Sequence, residues 1–205
     1  MLLLSQEREY LAMDMEKEED KTHSLAGQLL VAMPSMMDPN FQQTVTYICE
    51  HSTSGALGII INRPLNLDIG EVLEQLSLHP TQDNHLKQPV MQGGPIQSDR
   101  GFILHESPHN WDSTTEIGHS ICVTTSQDIL SDVAAGKGPE RILMALGYAG
   151  WQAGQLEHEI RQNAWLTVPA STNLVFDTPF KDRWKAAAES IGIDPANLSP
   201  YSGNA

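Results

Sequence analysis

No apolar run between Leu25 and Phe176 outgrows a single β-strand: Ala56 to Ile61 ends on Asn62-Arg63-Pro64, and the others are likewise broken by Pro, Gly or polar residues. That punctuation favours short strands and tight turns over long helices. Strands are predicted at 28–32, 44–50, 57–62, 90–92, 101–105, 121–124, 142–148, 165–168 and 174–176. Apolar residues recur every three or four positions only in short stretches, which predicts helices at 69–76, 126–134, 153–162 and 180–191. Ser126 is the expected N-cap of the second, with Asp128 in its first turn. The order neither alternates strictly nor segregates, so the expected fold is α+β with a mixed sheet, not a doubly wound one.

Residues 1–23 differ in texture. Glu7, Glu9, Asp14, Glu16, Glu18, Glu19 and Asp20 outnumber the basic groups there, and few large apolar side chains are present. We expect a mobile acidic extension over 1–23, a single domain over 24–194 and a short tail over 195–205. Met13 and Met15 leave the true start open. The leading MLLL run is too short for the apolar region of a signal peptide, and no stretch approaches a membrane span, so a cytoplasmic location is expected.

Asp and Glu total 26 against 12 Lys and Arg, a formal net charge of -14. Such a field repels phosphate backbones, and the arginines and lysines form no cluster, so direct nucleic-acid binding is not expected. A small molecule or a protein surface is the expected partner. Cys49 and Cys122 sit in apolar stretches and are read as buried reduced thiols.

Several motifs carry chemistry in principle. His105-Glu106-Ser107-Pro108-His109 fits the HExxH pattern, but a zinc site needs both histidines on one helical face, and Pro108 breaks that helix. No metal site and no cofactor are expected. Glu50-His51 is a candidate acid and base pair, although strand neighbours point to opposite faces. Asn62-Arg63-Pro64 delivers a guanidinium at the end of an apolar strand, where it either clamps a ligand carboxylate or phosphate or pins a loop. Gly93-Gly94 permits close backbone approach by a ligand or by a turn. Gly147 to Gly154 sets glycines around Gly150 and Trp151 but lacks a dinucleotide fingerprint and a Walker lysine. Asp38-Pro39-Asn40-Phe41 reads as a turn in which Asp38 accepts backbone N–H groups.

In AGQLLVAMPSMMDPNF, VTYICEHSTSGALGIIINRPL, PVMQGGPIQSDRGFILH, GYAGWQAGQLEHEIRQNAWLTVPA and FDTPFKDRWKAAAESIGID the chain resembles the AlgH/YqgE family of bacterial proteins, over about residues 24–194. The resemblance implies an α+β domain whose split, bent sheet closes into a pseudo-barrel with flanking helices. It implies a cytosolic and largely uncharacterised protein, one branch of the family being linked to transcriptional control of alginate production. It carries over no catalytic residues. Asp38, Glu50, His51, Asn62, Arg63, Gly93, Gly94, Gly150 and Trp151 are family-like signature positions, with His105 added as a candidate ligand-binding residue. The expected function is a non-catalytic module binding a small molecule or protein in regulation. The alternative is an enzyme of unknown reaction built on His51, His105, Arg63 and the glycine turns.

Overall fold

A computed structural model describes residues 24–81, 85–106, 111–118 and 120–194. The acidic extension 1–23 and the tail 195–205 lie outside the described residues. The strands are β1 (Gln28–Ala32), β2 (Val45–Ser52), β3 (Gly55–Ile60), β4 (Pro64–Asp68), β5 (Pro89–Gln92), β6 (Ile96–Glu106), β7 (Thr114–Gly118), β8 (Ile121–Thr124), β9 (Ile142–Gln152) and β10 (Trp165–Pro169). The helices are α1 (Ile69–Gln75), α2 (Asp128–Ala134), α3 (Gln155–Arg161) and α4 (Arg183–Glu189), with a π-helical turn at Asn173–Asp177.

The main path of the sheet runs β10-β1-β2-β3-β9-β6-β8-β7. β4 pairs with β5, and β5 runs parallel to β9 while the other pairings are antiparallel. The sheet curls into a half-barrel, and the fold is α+β.

Both faces of this sheet are covered, which is why several strands read as continuous apolar runs instead of alternating ones. On β1, Leu29 and Val31 enter the inner core beneath α4, while Leu30 and Ala32 join an outer cluster with Trp151, Leu156 and Trp165. A second outer cluster packs α1 and α2 through Ile69, Leu73, Ile129, Leu130 and Val133 against Ile103 and Met144.

β9 serves both outer clusters because its phase flips. Ile142 and Met144 face the α1–α2 side, whereas beyond Gly147 it is Ala149 and Trp151 that face outward. Gly147 has φ +76°, a left-handed conformation that only glycine adopts without cost, and it supplies the one-residue shift.

Four expectations need correction. The strand expected at 174–176 is the π-helical turn, in which Val175 N–H bonds the Ser171 carbonyl and Ser171 Oγ accepts from Leu174 N–H. A three-residue apolar run cannot distinguish a buried strand from a buried turn. Gln127, not Ser126, is the N-cap of α2, and the Ser126 hydroxyl donates instead to the Asp128 carboxylate. β9 does not end at Tyr148, because Ala149 to Gln152 continue by pairing with β3. β4 and β7 are additional strands that the apolar count missed; β7 is largely polar and pairs only with β8.

Candidate functional site

Arg63 and Asn62 work as one clamp. Asn62 Oδ1 accepts from Val45 N–H at 2.8 Å, and its Nδ2 donates to the Gln43 carbonyl at 2.9 Å. Arg63 donates to the carbonyls of Asn40 at 2.8 Å and Gln42 at 2.9 Å. Together they hold loop 38–43, whose Gln43 has φ +56°. Asp38 closes the same turn by accepting from Asn40 N–H at 2.8 Å. Partial burial pulls the Arg63 pKa below its ordinary value, against the opposing pull of nearby Asp38.

His51 lies at the other end of the β2–β3 hairpin. Its Nδ1 accepts from Leu25 N–H at 3.0 Å, which places the proton on Nε2, and Nε2 donates to Glu157 at 2.9 Å. Both ring nitrogens are therefore engaged. Glu50 and His51 nevertheless border one open cleft, which the regular-strand argument excluded. Alternation itself holds from Glu50 to Ser52, but the cleft wraps the end of the hairpin, taking in the consecutive residues Glu50 to Ser52 and Gly55 to Leu57, so both faces border it.

Beside this corner Trp151 and Trp165 direct their indole N–H groups onto one carboxylate oxygen of Glu159, at 3.0 and 2.7 Å. Gln155 Nε2 donates to the other oxygen at 2.9 Å, and Phe41 packs edge-on against Trp165 with centroids 5.6 Å apart. Trp151 is an architectural centre here. Gly150 permits the approach of Ile96, whose Cδ1 would lie 3.1 Å from an added Cβ.

Gly93 and Gly94 occupy the split in the sheet. Gly93 N–H bonds Leu146 O at 2.7 Å and its carbonyl receives Ile60 N–H at 2.8 Å, so one residue bridges β3 and β9 where they part. A Cβ on Gly93 would stand 2.2 Å from the Gly147 oxygen, and one on Gly94 2.1 Å from the Tyr148 carbonyl carbon. The close approach these glycines permit is to the protein's own backbone.

His105 is fully buried on β6, and Glu106 beside it turns outward to Arg141 at 3.1 Å. His105 Nδ1 donates to the Glu106 carbonyl at 3.1 Å, and Nε2 accepts from Thr124 Oγ1 at 2.8 Å. Thr124 in turn meets Thr114 Oγ1 at 2.7 Å. A strand replaces the helix that HExxH chemistry needs; Ser107 to Asn110, including His109, lie outside the described residues. Cys49 and Cys122 are buried, and burial pushes the Cys49 thiol well above its ordinary pKa.

These candidates do not converge. Six strand residues separate the Val45 end, where Arg63 sits, from His51, roughly 20 Å at 3.3 Å per residue. His105 pairs with Ile142 at the start of β9, whereas Trp151 and the His51 corner lie at its far end. An enzyme site built from His51, Arg63 and His105 has no common centre in this fold.

Two other places concentrate chemistry. A cleft of about 380 Å³ between α1, α2 and the sheet is walled by Leu67, Val72, Leu76, Ile103, Leu130 and Met144, with Thr125, Ser126, Gln127 and Asp99 at its edge. The other is Arg183, 6% exposed at the start of α4. Its Nε donates to Thr178 O at 2.9 Å and Nη1 to Ile61 O. Among the described residues no carboxylate pairs with it, and burial lowers its pKa to about 10. The signal for Arg183 was in the sequence: it lies one helical turn before Ala187, on the stripe that α4 buries.

A curled, split sheet with both faces covered by short helices places the chain among α+β half-barrel proteins. More specifically, it belongs to the AlgH-like family (DUF179), whose model matches residues 29–196. A UPF0301 protein of Xanthomonas campestris pv. campestris is 48% identical over 181 residues, covering 88% of this chain and 96% of that one. The solution structure of the AlgH protein from Pseudomonas aeruginosa is similar at TM-score 0.71 and 48% identity, over 89% of this chain and 97% of that one. The crystal structure of protein DIP2367 from Corynebacterium diphtheriae shares the fold at TM-score 0.65 and 21% identity, over 86% and 92% of the two chains.

Proposed function

We propose that this protein is a non-catalytic cytoplasmic module that binds a small molecule or a protein partner in a regulatory role, with the α1–α2 cleft as its binding surface. The cleft itself is the observation that carries this reading. It is preformed, mostly apolar and edged by a few hydroxyl and amide groups, the usual composition of a ligand site. Its lining sets the Ser126, Thr124 and Thr125 hydroxyls beside no histidine, lysine or cysteine. Leu76, 38% exposed, marks its rim. The regulatory part of the reading rests on the link of one family branch to alginate control.

A thermal-shift screen of metabolites, followed by methyl NMR of Met144, Leu130 and Ile103, tests the proposal. A compound present at a hundred times its Kd should add about 2.7 kcal/mol of stability. Its shifts should map to the cleft, and it should be recovered unchanged after incubation. A screen in which no hit maps to this cleft, or in which the compound that does is turned over, overturns the reading.

A further inference from the structure

Arg183 lines a second cleft, of about 230 Å³, formed where α4 and the π-helical turn meet β5 and β9. Pro89, Met91, Leu143 and the half-exposed rings of Phe176 and Phe180 form its apolar part, with Gln88 and Thr178 among its polar lining. At its base is a guanidinium that is more than nine-tenths buried and has no counter-charge among the described residues. Two of its nitrogens are spent on the carbonyls of Thr178 and Ile61, and among the described residues Nη2 has no hydrogen-bond acceptor. A buried cation held only by neutral carbonyls lacks the compensation that buried charges ordinarily require.

The surroundings select among anions. Asp177 also borders the cleft, and it is engaged by Arg141 at 3.0 Å, which in turn holds Glu106 at 3.1 Å. That triad carries one net negative charge, so a dianion placed beside it is repelled more strongly than a monoanion. The other polar side chains of the lining are engaged within the chain, Gln88 Nε2 with His85 Nδ1 at 3.0 Å and Thr178 Oγ1 with Asn173 O at 3.0 Å, which leaves few partners for the hydroxyl groups of a sugar phosphate. A planar carboxylate suits one guanidinium edge, and a compact apolar body suits the walls.

We propose that the Arg183 cleft is a binding site for a small organic monocarboxylate with an apolar body, its carboxylate on Arg183 and its body between Phe176 and Phe180. The site is separate from the α1–α2 cleft, so either assignment can fail without the other.

The test is titration of the full chain with benzoate, benzamide and inorganic phosphate, followed by NMR at Arg183 Nε–Hε and the Met91 methyl. Benzoate should shift both signals with a Kd of about 1 mM or tighter. Benzamide, its uncharged near-isostere, should bind at least about tenfold more weakly, and phosphate should leave the Met91 methyl unmoved. Arg183→Met should abolish benzoate binding while leaving shifts elsewhere in place. Because the wild-type comparison of benzoate with benzamide needs no variant, the test survives even if Arg183→Met folds poorly. Equal binding of benzoate and benzamide, preference for phosphate, or no carboxylate response at Arg183 overturns the proposal.

Discussion

Glu159 and Arg183 are both ionised groups set against the core, and the protein treats them differently. Glu159 receives three donors, two of them indole N–H groups from buried tryptophans. Arg183 is more deeply buried, yet it meets two carbonyls and no opposite charge. The first arrangement is complete within the chain, and a complete network reads as architecture. The second is completed only by something the chain itself does not supply.

The largest expected effect tests the complete end of this contrast. Glu159→Leu leaves the N–H groups of Trp151 and Trp165 without their acceptor and should cost about 2–4 kcal/mol in urea denaturation. A loss under about 1 kcal/mol would show that water serves those indoles equally well and that the network is not structural.

High pH examines charge burial from the other side. Cys49 and Tyr47 are buried neutral, and burial, chiefly, raises both pKa values above their ordinary 9.0 and 10.0. The unfolded chain therefore loses these protons first, and stability falls as pH rises through about 9. The slope should approach about 1.4 kcal/mol per pH unit for the thiol and level off above about pH 10, where the phenol adds to the loss while Arg183, whose pKa is lowered to about 10, offsets it. Denaturation at pH 8, 9 and 10 measures it. Cys49→Ala should delay the onset to the tyrosine range, and an unchanged onset would assign the slope to other groups.

Arg63 is intermediate between the two cases: a half-buried cation that binds carbonyls, as Arg183 does, but in reach of water and Asp38. Arg63→Ala should cost about 1 kcal/mol, because the Asn40 and Gln42 carbonyls it releases can be hydrated. Thermal melts give the number, and a loss above about 3 kcal/mol would place it with Glu159 as a structural keystone.

The smallest effect is expected where the charge is least compensated. Arg183→Met gives up two hydrogen bonds but also removes a desolvated cation, so the net change should stay within about 1 kcal/mol. A destabilisation comparable to that of Glu159→Leu would erase the contrast between the two regions.

The sequence made the alternation of strands and short helices legible, since β-length apolar runs and glycine turns report local geometry directly. It made Asp38 legible as a turn residue for the same reason. The cleft that wraps the end of the β2–β3 hairpin was not legible, and it lets Glu50 and His51 border one space from opposite faces of the strand. Nor was the phase flip at Gly147, because a glycine in a strand signals only that something irregular is tolerated there. Arg183 was not legible as a buried cation because an arginine on an apolar helical stripe ordinarily lays its stem along that face and carries its charge out to water. Which partner meets His51 or Arg63 depends on contacts such as Glu157, 106 positions away, that no local pattern encodes.

β1 and β10 lie side by side, with Gln28 opposite Pro169. The first strand of the sheet can therefore find its outer neighbour only after nearly every intervening segment has been made, and this non-local closure should make it one of the later and slower steps of folding. The same adjacency sets the first and last strands of the chain side by side. A circular permutant that links the end of α4 to Ser24, with new termini in the Thr53–Ser54 turn, would convert that closing contact from a long-range one into a local one.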